Sequence, residues 1–340
     1  MASLQPISGP PREVHAALRA WAGGADAAQV LVRTSGSTGE PKDVLLSRPA
    51  MLASARAALT RLGGPGQWLL ALPAHYVAGA QVLLRSVLSD TEPVLLAEHA
   101  DLTAALGAMD SRVRRYVSLV PTQLHRMLDE HAEALAAFDA VLLGGASAAP
   151  RLLERARRAG VRVVTTYGMS ETCGGCVYDG VPLDGVGVRI GGDGRVHLLG
   201  PVLFDGYAGR PDLTRGVLVD GELRTPDVGR LDDDGRLVVL GRADDVVVSG
   251  GVNVALPAVE RRLREHPDVV DTAVLGIEDP EWGCRVVAAV VAPAPGLGEL
   301  RDFVGMTLPR SWAPRQLLVV DALPMLESGK VDRAALRRML

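Results

Sequence analysis

The residues of this 340-residue chain best suited to chemistry lie in Thr34-Ser35-Gly36-Ser37-Thr38-Gly39-Glu40-Pro41-Lys42, directly after the apolar segment 29–33. Two glycines permit tight turns and close backbone approach. Four hydroxyls and the loop's N–H groups can wrap phosphate oxygens, with the Lys42 ammonium as a point charge. The spacing does not fit G-x-x-x-x-G-K-[ST], so this is not a Walker-type loop. A Ser/Gly stretch alone reads as a linker; the strand expected before it, the helix expected after it and the terminal Pro-Lys favour a phosphate loop. Lysine is scarce, since only Lys42 and Lys330 among the 36 basic residues are lysines. Where arginine is the default cation, a retained lysine marks a place that needs a compact ammonium on a flexible stem. Cys173-Gly-Gly-Cys176 has metal or redox spacing, but no second pair or suitable histidine accompanies it, and it reads as structural.

Such groups need a frame to hold them. Apolar runs at 29–35, 67–73, 92–98, 115–121, 139–145 and 161–168 read as buried strands, separated by Ala/Leu/Arg helical patterns at 51–62, 78–88 and 149–160. Strand alternating with helix predicts a mostly parallel sheet covered by helices. From about residue 185 the texture changes to short β pieces with Gly/Asp turns, a separate antiparallel lobe. A third stretch combines helical 256–266 and 298–308 with strand-like 271–277, 284–293 and 316–324. The expected fold class is therefore α/β, with a large N-terminal domain at 1–243, its β-lobe at about 185–243, and a small α+β domain at 244–340.

Composition narrows the function classes. With 48% hydrophobic and 22% charged residues the chain can bury a core. A net charge of −4 gives no basic footprint for nucleic acid. Three cysteines argue against a disulfide framework. No basic-then-apolar leader pattern and no run of about 18 apolar residues occurs, so a cytoplasmic protein without a membrane span is expected.

Five motifs in order carry a resemblance: the loop 34–42; Thr166-Tyr167-Gly168-Met169-Ser170-Glu171-Thr172; Leu223-Arg-Thr-Pro-Asp227-Val-Gly-Arg230; Gly241-Arg242-Ala-Asp244, running on to Ser249-Gly250-Gly251; and Leu323-Pro-Met-Leu-Glu-Ser-Gly-Lys330-Val-Asp-Arg333. Together the chain resembles the adenylate-forming enzymes, comprising acyl-CoA synthetases, aryl-acid ligases, peptide-synthetase adenylation domains and luciferases. The resemblance implies an adenylate-forming two-domain fold with a mobile C-terminal domain, and ATP, Mg²⁺ and coenzyme A as reactants. It implies that Glu171 holds the magnesium with Thr38 nearby, hard oxygen donors suiting that ion. By the same likeness Tyr167 and Gly168, with the Gly144-Gly145-Ala146 turn, line the adenine and acyl pocket, alongside Thr166 and Ser170. Asp227 accepts both ribose hydroxyls, Arg242 contacts ribose or phosphate, and Lys330 bridges the substrate carboxylate and the α-phosphate. Asp244 is the hinge, and Ser249, Gly250 and Gly251 border the thiol channel.

His75, Thr122, Met169 and Thr172 are candidates for the acyl group. Two departures are visible: Pro226 stands where the family has glycine, stiffening the loop before Asp227, and Asp43 replaces a glycine after Lys42, adding an anion near the phosphates. Only 33 residues precede Thr34, which implies a reduced N-terminal subdomain. The partners implied are a small carboxylic acid, ATP and a thiol acceptor, with a homodimer possible. A ligase that loads a carrier protein is the enzymatic alternative. A binding module without turnover is disfavoured, because Lys330, Glu171 and Asp227 are all present.

Overall fold

The frame of the large domain is a seven-stranded sheet in the order Val181–Pro182, Gly174–Tyr178, Val163–Met169, Ala140–Leu143, Arg114–Leu119, Gly66–Leu70, Val94–Leu95. The computed structural model describes residues 3–24, 29–34, 41–291, 293, 295–326 and 329–340, with Asp244 described by its backbone alone. Pairing is parallel from Val94–Leu95 through to Val163–Met169, then antiparallel across the last three strands. Side chains alternate across a strand. Trp68, Leu70, Tyr116, Ala140 and Leu142 accordingly enter one buried cluster, and Leu69, Val117, Leu119, Val141 and Leu143 enter another. Burial on both faces explains why these strands read as continuous apolar runs.

The strand that leads into the phosphate loop departs from expectation. Val30–Thr34 lies outside the parallel sheet and pairs antiparallel with Lys42–Leu46, which then pairs with Gly206–Tyr207. Thus the loop closes a hairpin, and no helix follows it directly. Val44 and Leu46 alternate inward opposite Val32 and Val30, which makes residues 42–46 a strand. The helix Arg48–Arg61 starts only after Ser47, whose hydroxyl accepts from the Ala50 N–H at 3.4 Å.

The chain from Gly187 to Arg242 builds a mainly antiparallel sheet whose Val196, Leu198, Leu223 and Leu237 join the same buried cluster as Trp68 and Tyr116. Gly187–Ile190, Arg195–Leu199, Glu222–Leu231 and Leu218–Val219 pair in that order, and Leu237–Arg242 joins Glu222–Leu231. Pro226 sits inside Glu222–Leu231, where a proline removes a ladder donor. Its strand tolerates it because the register slips there: Arg195 pairs with Val228 and His197 with Arg224. The Thr225 hydroxyl bridges the gap by donating to the Val196 carbonyl at 2.8 Å.

After the short turn Ala243–Asp245 comes the hairpin Val246–Ser249/Val252–Ala255. Gly250 and Gly251 form its two-residue turn with φ of 58° and 78°, a conformation that needs positive φ at both central positions. The remaining unit packs the helices Leu256–Arg264 and Leu297–Gly305 on a sheet of Thr272–Asp279, Gly283–Val291 and Gln316–Val320. Its buried clusters draw only on residues 254–336.

Candidate active site

Two tyrosine–carboxylate pairs organise the cleft. The Tyr167 hydroxyl, at the end of the parallel sheet, donates to Asp227 Oδ2 at 2.8 Å. Asp227 is presented by the β-lobe strand Glu222–Leu231, opposite Arg242, and its N–H donates to Thr225 Oγ1 at 3.1 Å. Burial raises the Asp227 pKa above the usual carboxylate value, while the Tyr167 hydrogen bond and the charges of Arg242 and Lys330 pull it back. Lys330, from the far end of the chain, therefore lies within electrostatic reach of the proposed ribose carboxylate. Burial, and then the charge of Asp227, raise the Tyr167 pKa, so its hydroxyl remains a donor near neutral pH.

The second pair was not expected from the sequence. Buried Tyr207 donates its hydroxyl to Glu171 Oε1 at 2.7 Å, and the Lys42 ammonium lies 5.2 Å from the centroid of the same ring. Glu171 stands on the short turn Ser170–Thr172, whose carbonyl at Glu171 accepts from Phe204 N–H at 2.9 Å. One ring thus links the metal-ligand candidate to the lysine of the phosphate loop. Tyr207 belongs to a two-residue strand that finds Val44 and Leu45 across the fold, and no local pattern marks such a strand. Tyr207→Phe keeps the ring and frees Glu171. A hydrogen bond to a charged group contributes about 1.5–3 kcal/mol, so acid-dependent pyrophosphate exchange should fall about tenfold or more, with half-saturation moved to higher Mg²⁺. A Mg²⁺ titration identical to the parent's would remove Tyr207 from the site.

Asp43 does not confront the phosphates as a bare anion. Arg33, opposite it in the hairpin, donates to both its oxygens at 2.8 and 3.0 Å and lowers its pKa. Both line a cleft of about 450 Å³ with Pro41, Lys42, Tyr207, Ala208 and Arg210. Thr34 donates to the Lys42 carbonyl at 3.2 Å and closes the hairpin. Ser35, Gly36, Ser37, Thr38 and Gly39 lie outside the described residues.

The glycines of the second motif serve close backbone approach. A Cβ on Gly168 would stand 2.1 Å from the Gly174 carbonyl oxygen, and one on Gly144 would stand 2.3 Å from Thr166 Oγ1. Gly145 has φ 81° and, with Ala146, forms an exposed bend. Met169 and Ser170 lead into the Glu171 turn. Thr172 corrects an expectation: it is fully buried, accepting from Met169 N–H at 2.9 Å and donating to the Gly174 carbonyl at 2.7 Å. Its hydroxyl is spent on the turn and is not available to an acyl group.

His75 is half-buried at the entrance to the helix Val77–Leu88, its ring 4.3 Å from Tyr76, and that helix sets Gln81 beside Gly174. Thr122 lies in the first turn of the helix Pro121–Glu130, two residues after Val120. Val120 meets the Lys330 loop: Gly329 has φ 77°, and a Cβ there would stand 2.7 Å from Val120 Cγ2. In the hairpin turn, Ser249 is buried and Gly250 leaves room for Trp282, 2.8 Å from where its Cβ would be. Burial raises the Cys176 thiol to about 12 and pushes Cys173 up as well. Both stay protonated at neutral pH, a poor state for zinc or thiol exchange.

The AMP-binding enzyme model matches residues 11–207, and the AMP-binding enzyme C-terminal domain model matches 258–330. A probable 2-succinylbenzoate–CoA ligase of Mycobacterium tuberculosis is 48% identical over 326 residues, covering 92% of this chain and 85% of that protein. The 2-succinylbenzoate–CoA ligase of Bacillus subtilis is 32% identical, covering 92% and 69%. Among solved structures, o-succinylbenzoate CoA synthetase (MenE) of Bacillus subtilis, in complex with the acyl-adenylate intermediate OSB-AMP, matches with TM-score 0.79 and 32% identity over 90% of this chain and 68% of that one. The amide bond synthetase McbA of Marinactinospora thermotolerans matches with TM-score 0.81 and 31% identity, over 92% and 69%. The chain belongs to the AMP-binding enzyme family and has its adenylate-forming fold.

Proposed function

We propose that this chain is an AMP-forming acid–thiol ligase that converts 2-succinylbenzoate, ATP and coenzyme A into the CoA thioester, AMP and pyrophosphate, a step of menaquinone biosynthesis. The observation that carries the reading is the meeting, at the one carboxylate of Asp227, of the Tyr167 hydroxyl with the charges of Arg242 and Lys330, residues of three other motifs distant in the chain. The 48% identity to a probable ligase for this acid supports the substrate.

In the first half-reaction the acid's carboxylate oxygen attacks the α-phosphorus, and the bond to the bridging oxygen breaks to release pyrophosphate. Carboxylate and phosphate repel, so a cation between them lowers the barrier. Lys330 supplies it. Asp227 fixes the ribose as an acceptor-only group, and Arg242 flanks it. Glu171 fits a divalent cation: its carboxylate offers hard oxygens, and Tyr207 fixes one of them. Bound there with help from Thr38, Mg²⁺ would withdraw negative charge from the triphosphate. In the second half-reaction the thiol sulfur attacks the acyl carbonyl, AMP leaves, and the thiol proton passes to solvent.

The same reading makes Asp244 a hinge about which residues 244–340 turn, bringing the Ser249-Gly250-Gly251 hairpin toward the thiol. His75, Thr122, Gly144 and Met169 remain the acyl-contact candidates. No helix among the described residues is long and apolar enough to cross a membrane, in keeping with a cytoplasmic enzyme, and a homodimer is part of the proposal. Acid-dependent exchange of labelled pyrophosphate into ATP tests it. 2-Succinylbenzoate should drive exchange well above benzoate or simple fatty acids, and coenzyme A should then yield thioester. Exchange with those other acids alone would overturn the substrate, and product formed only on a carrier protein would overturn the acceptor.

A further inference from the structure

We infer that Arg151 is a positioning residue for acyl-adenylate formation, a clasp that holds residues 256–336 where Lys330 reaches the nucleotide. This rests on the ligase reading above. Arg151 lies in the first turn of the helix Pro150–Arg158, on the large domain. It reaches across 114 to 116 residues of sequence to three consecutive carbonyls: Nη2 donates to Glu265 O at 3.1 Å, and Nη1 donates to His266 O at 3.2 Å and to Pro267 O at 3.1 Å. Those carbonyls follow the last turn of the helix Leu256–Arg264.

The chemistry of both ends fits a clasp. Glu265, the residue that caps the helix, offers one of the carbonyls that a helix C-terminus leaves without intrahelical partners and with partial negative charge, and the His266 carbonyl just beyond it also accepts from Val269 N–H at 3.2 Å. A planar guanidinium with forked donors can serve several of them at once, where an ammonium would not. On its own helix Arg151 stands at the wrong end, because the first turn favours acidic residues. Among the described residues it forms no ion pair with a carboxylate that would explain its presence there. The contact across the boundary is therefore its structural use.

Its consequence for chemistry follows from what else touches the large domain. The Lys330 loop meets it where Gly329 fits against Val120. Two separated points, Val120 and Arg151, resist rotation better than one. An ammonium displaced by about an ångström loses much of its transition-state advantage.

Half-reaction kinetics of Arg151→Ala, Arg151→Lys, Lys330→Ala and the Arg151→Ala/Lys330→Ala double variant test the inference. Arg151→Ala should lower kcat for pyrophosphate exchange about tenfold with KM for ATP and acid little changed, Arg151→Lys should fall between, and thioester formation from preformed acyl-adenylate should persist. In the double variant Arg151→Ala should add nothing to the loss from Lys330→Ala, because it acts through that lysine. Equal loss of both half-reactions, or additive loss in the double variant, would overturn it. A readout independent of activity separates this from failure of the ligase reading. Amide hydrogen exchange in 325–333 should rise in Arg151→Ala while that of 114–119 stays as in the parent, and unchanged exchange in 325–333 would sink the clasp even in a protein that ligates nothing.

Discussion

Lys330→Ala is expected to lose acyl-adenylate formation by at least about 10²- to 10³-fold, the cost of removing one preorganised transition-state donor, while still making thioester from preformed acyl-adenylate at near the parent rate. The asymmetry is the informative part. Lys330 is exposed, and its loop is fixed by Gly329 against Val120 and by the bond from Leu326 N–H to the Lys330 carbonyl at 2.8 Å. A side chain so placed carries little of the fold, so its removal should leave the melting temperature alone. Its charge acts on Asp227, the carboxylate proposed to hold the ribose, which favours a role in the nucleotide step over one in the thiol step. Once the acyl-adenylate exists, no repulsion between carboxylate and phosphate remains for an ammonium to relieve. Parallel assays of the two steps check this, and a variant that loses both equally would make Lys330 a structural residue.

How legible all this is in the sequence depends on whether a feature is local. The parallel strands declare themselves because burial on both faces leaves runs such as Ala140–Leu143 wholly apolar. Motif residues carrying rare chemistry, a lysine among arginines or an Asp after Thr-Pro, are equally plain. Partnerships between distant elements are not. The strand Lys42–Leu46, where the sequence suggests only a helix after the loop, goes unmarked because its partners Val30–Thr34 and Gly206–Tyr207 lie across a loop and across most of the domain. Tyr207 gains its position from that pairing, from the Thr214 hydroxyl that accepts its N–H at 2.9 Å, and from the Phe204 ring 5.0 Å away. Arg151 looks like one more cation on an amphipathic helix until the helix Leu256–Arg264 is set against it. The two departures from the family pattern resolve in the same non-local way: Arg33 neutralises Asp43 across a hairpin, and a register shift against Arg195–Leu199 accommodates Pro226.

Asp227 yields the second large effect, and here the pH dependence carries the argument. Its pKa is raised by burial in spite of Tyr167, Arg242 and Lys330, with Asp245 adding repulsion. The ionised form is the one that can accept from both ribose hydroxyls as well as from Tyr167. As pH falls through the raised pKa, the carboxyl gains a proton, an acceptor is lost, and KM for ATP should climb, at a pH above that at which an ordinary aspartate would titrate. Asp227→Asn removes that limb. Its amide oxygen can still accept from Tyr167, but its NH₂ cannot accept from the ribose. Losing a charged acceptor costs about 1.5–3 kcal/mol, about 10- to 100-fold in ATP affinity at 1.4 kcal/mol per decade. Stability should move the other way. A carboxyl whose folded pKa lies above its unfolded one is held in its less favoured, ionised state at neutral pH, so folding is penalised above the folded pKa and the penalty is relieved as pH falls through it. The neutral amide escapes that penalty, and Asp227→Asn should melt at or above the parent's temperature near pH 7 while binding ATP weakly. ATP titrations from pH 5 to pH 8 beside thermal melts decide the matter: a variant that both melts lower and keeps the parent's pH profile for ATP would mean that Asp227 holds the strand Glu222–Leu231 together rather than the ribose.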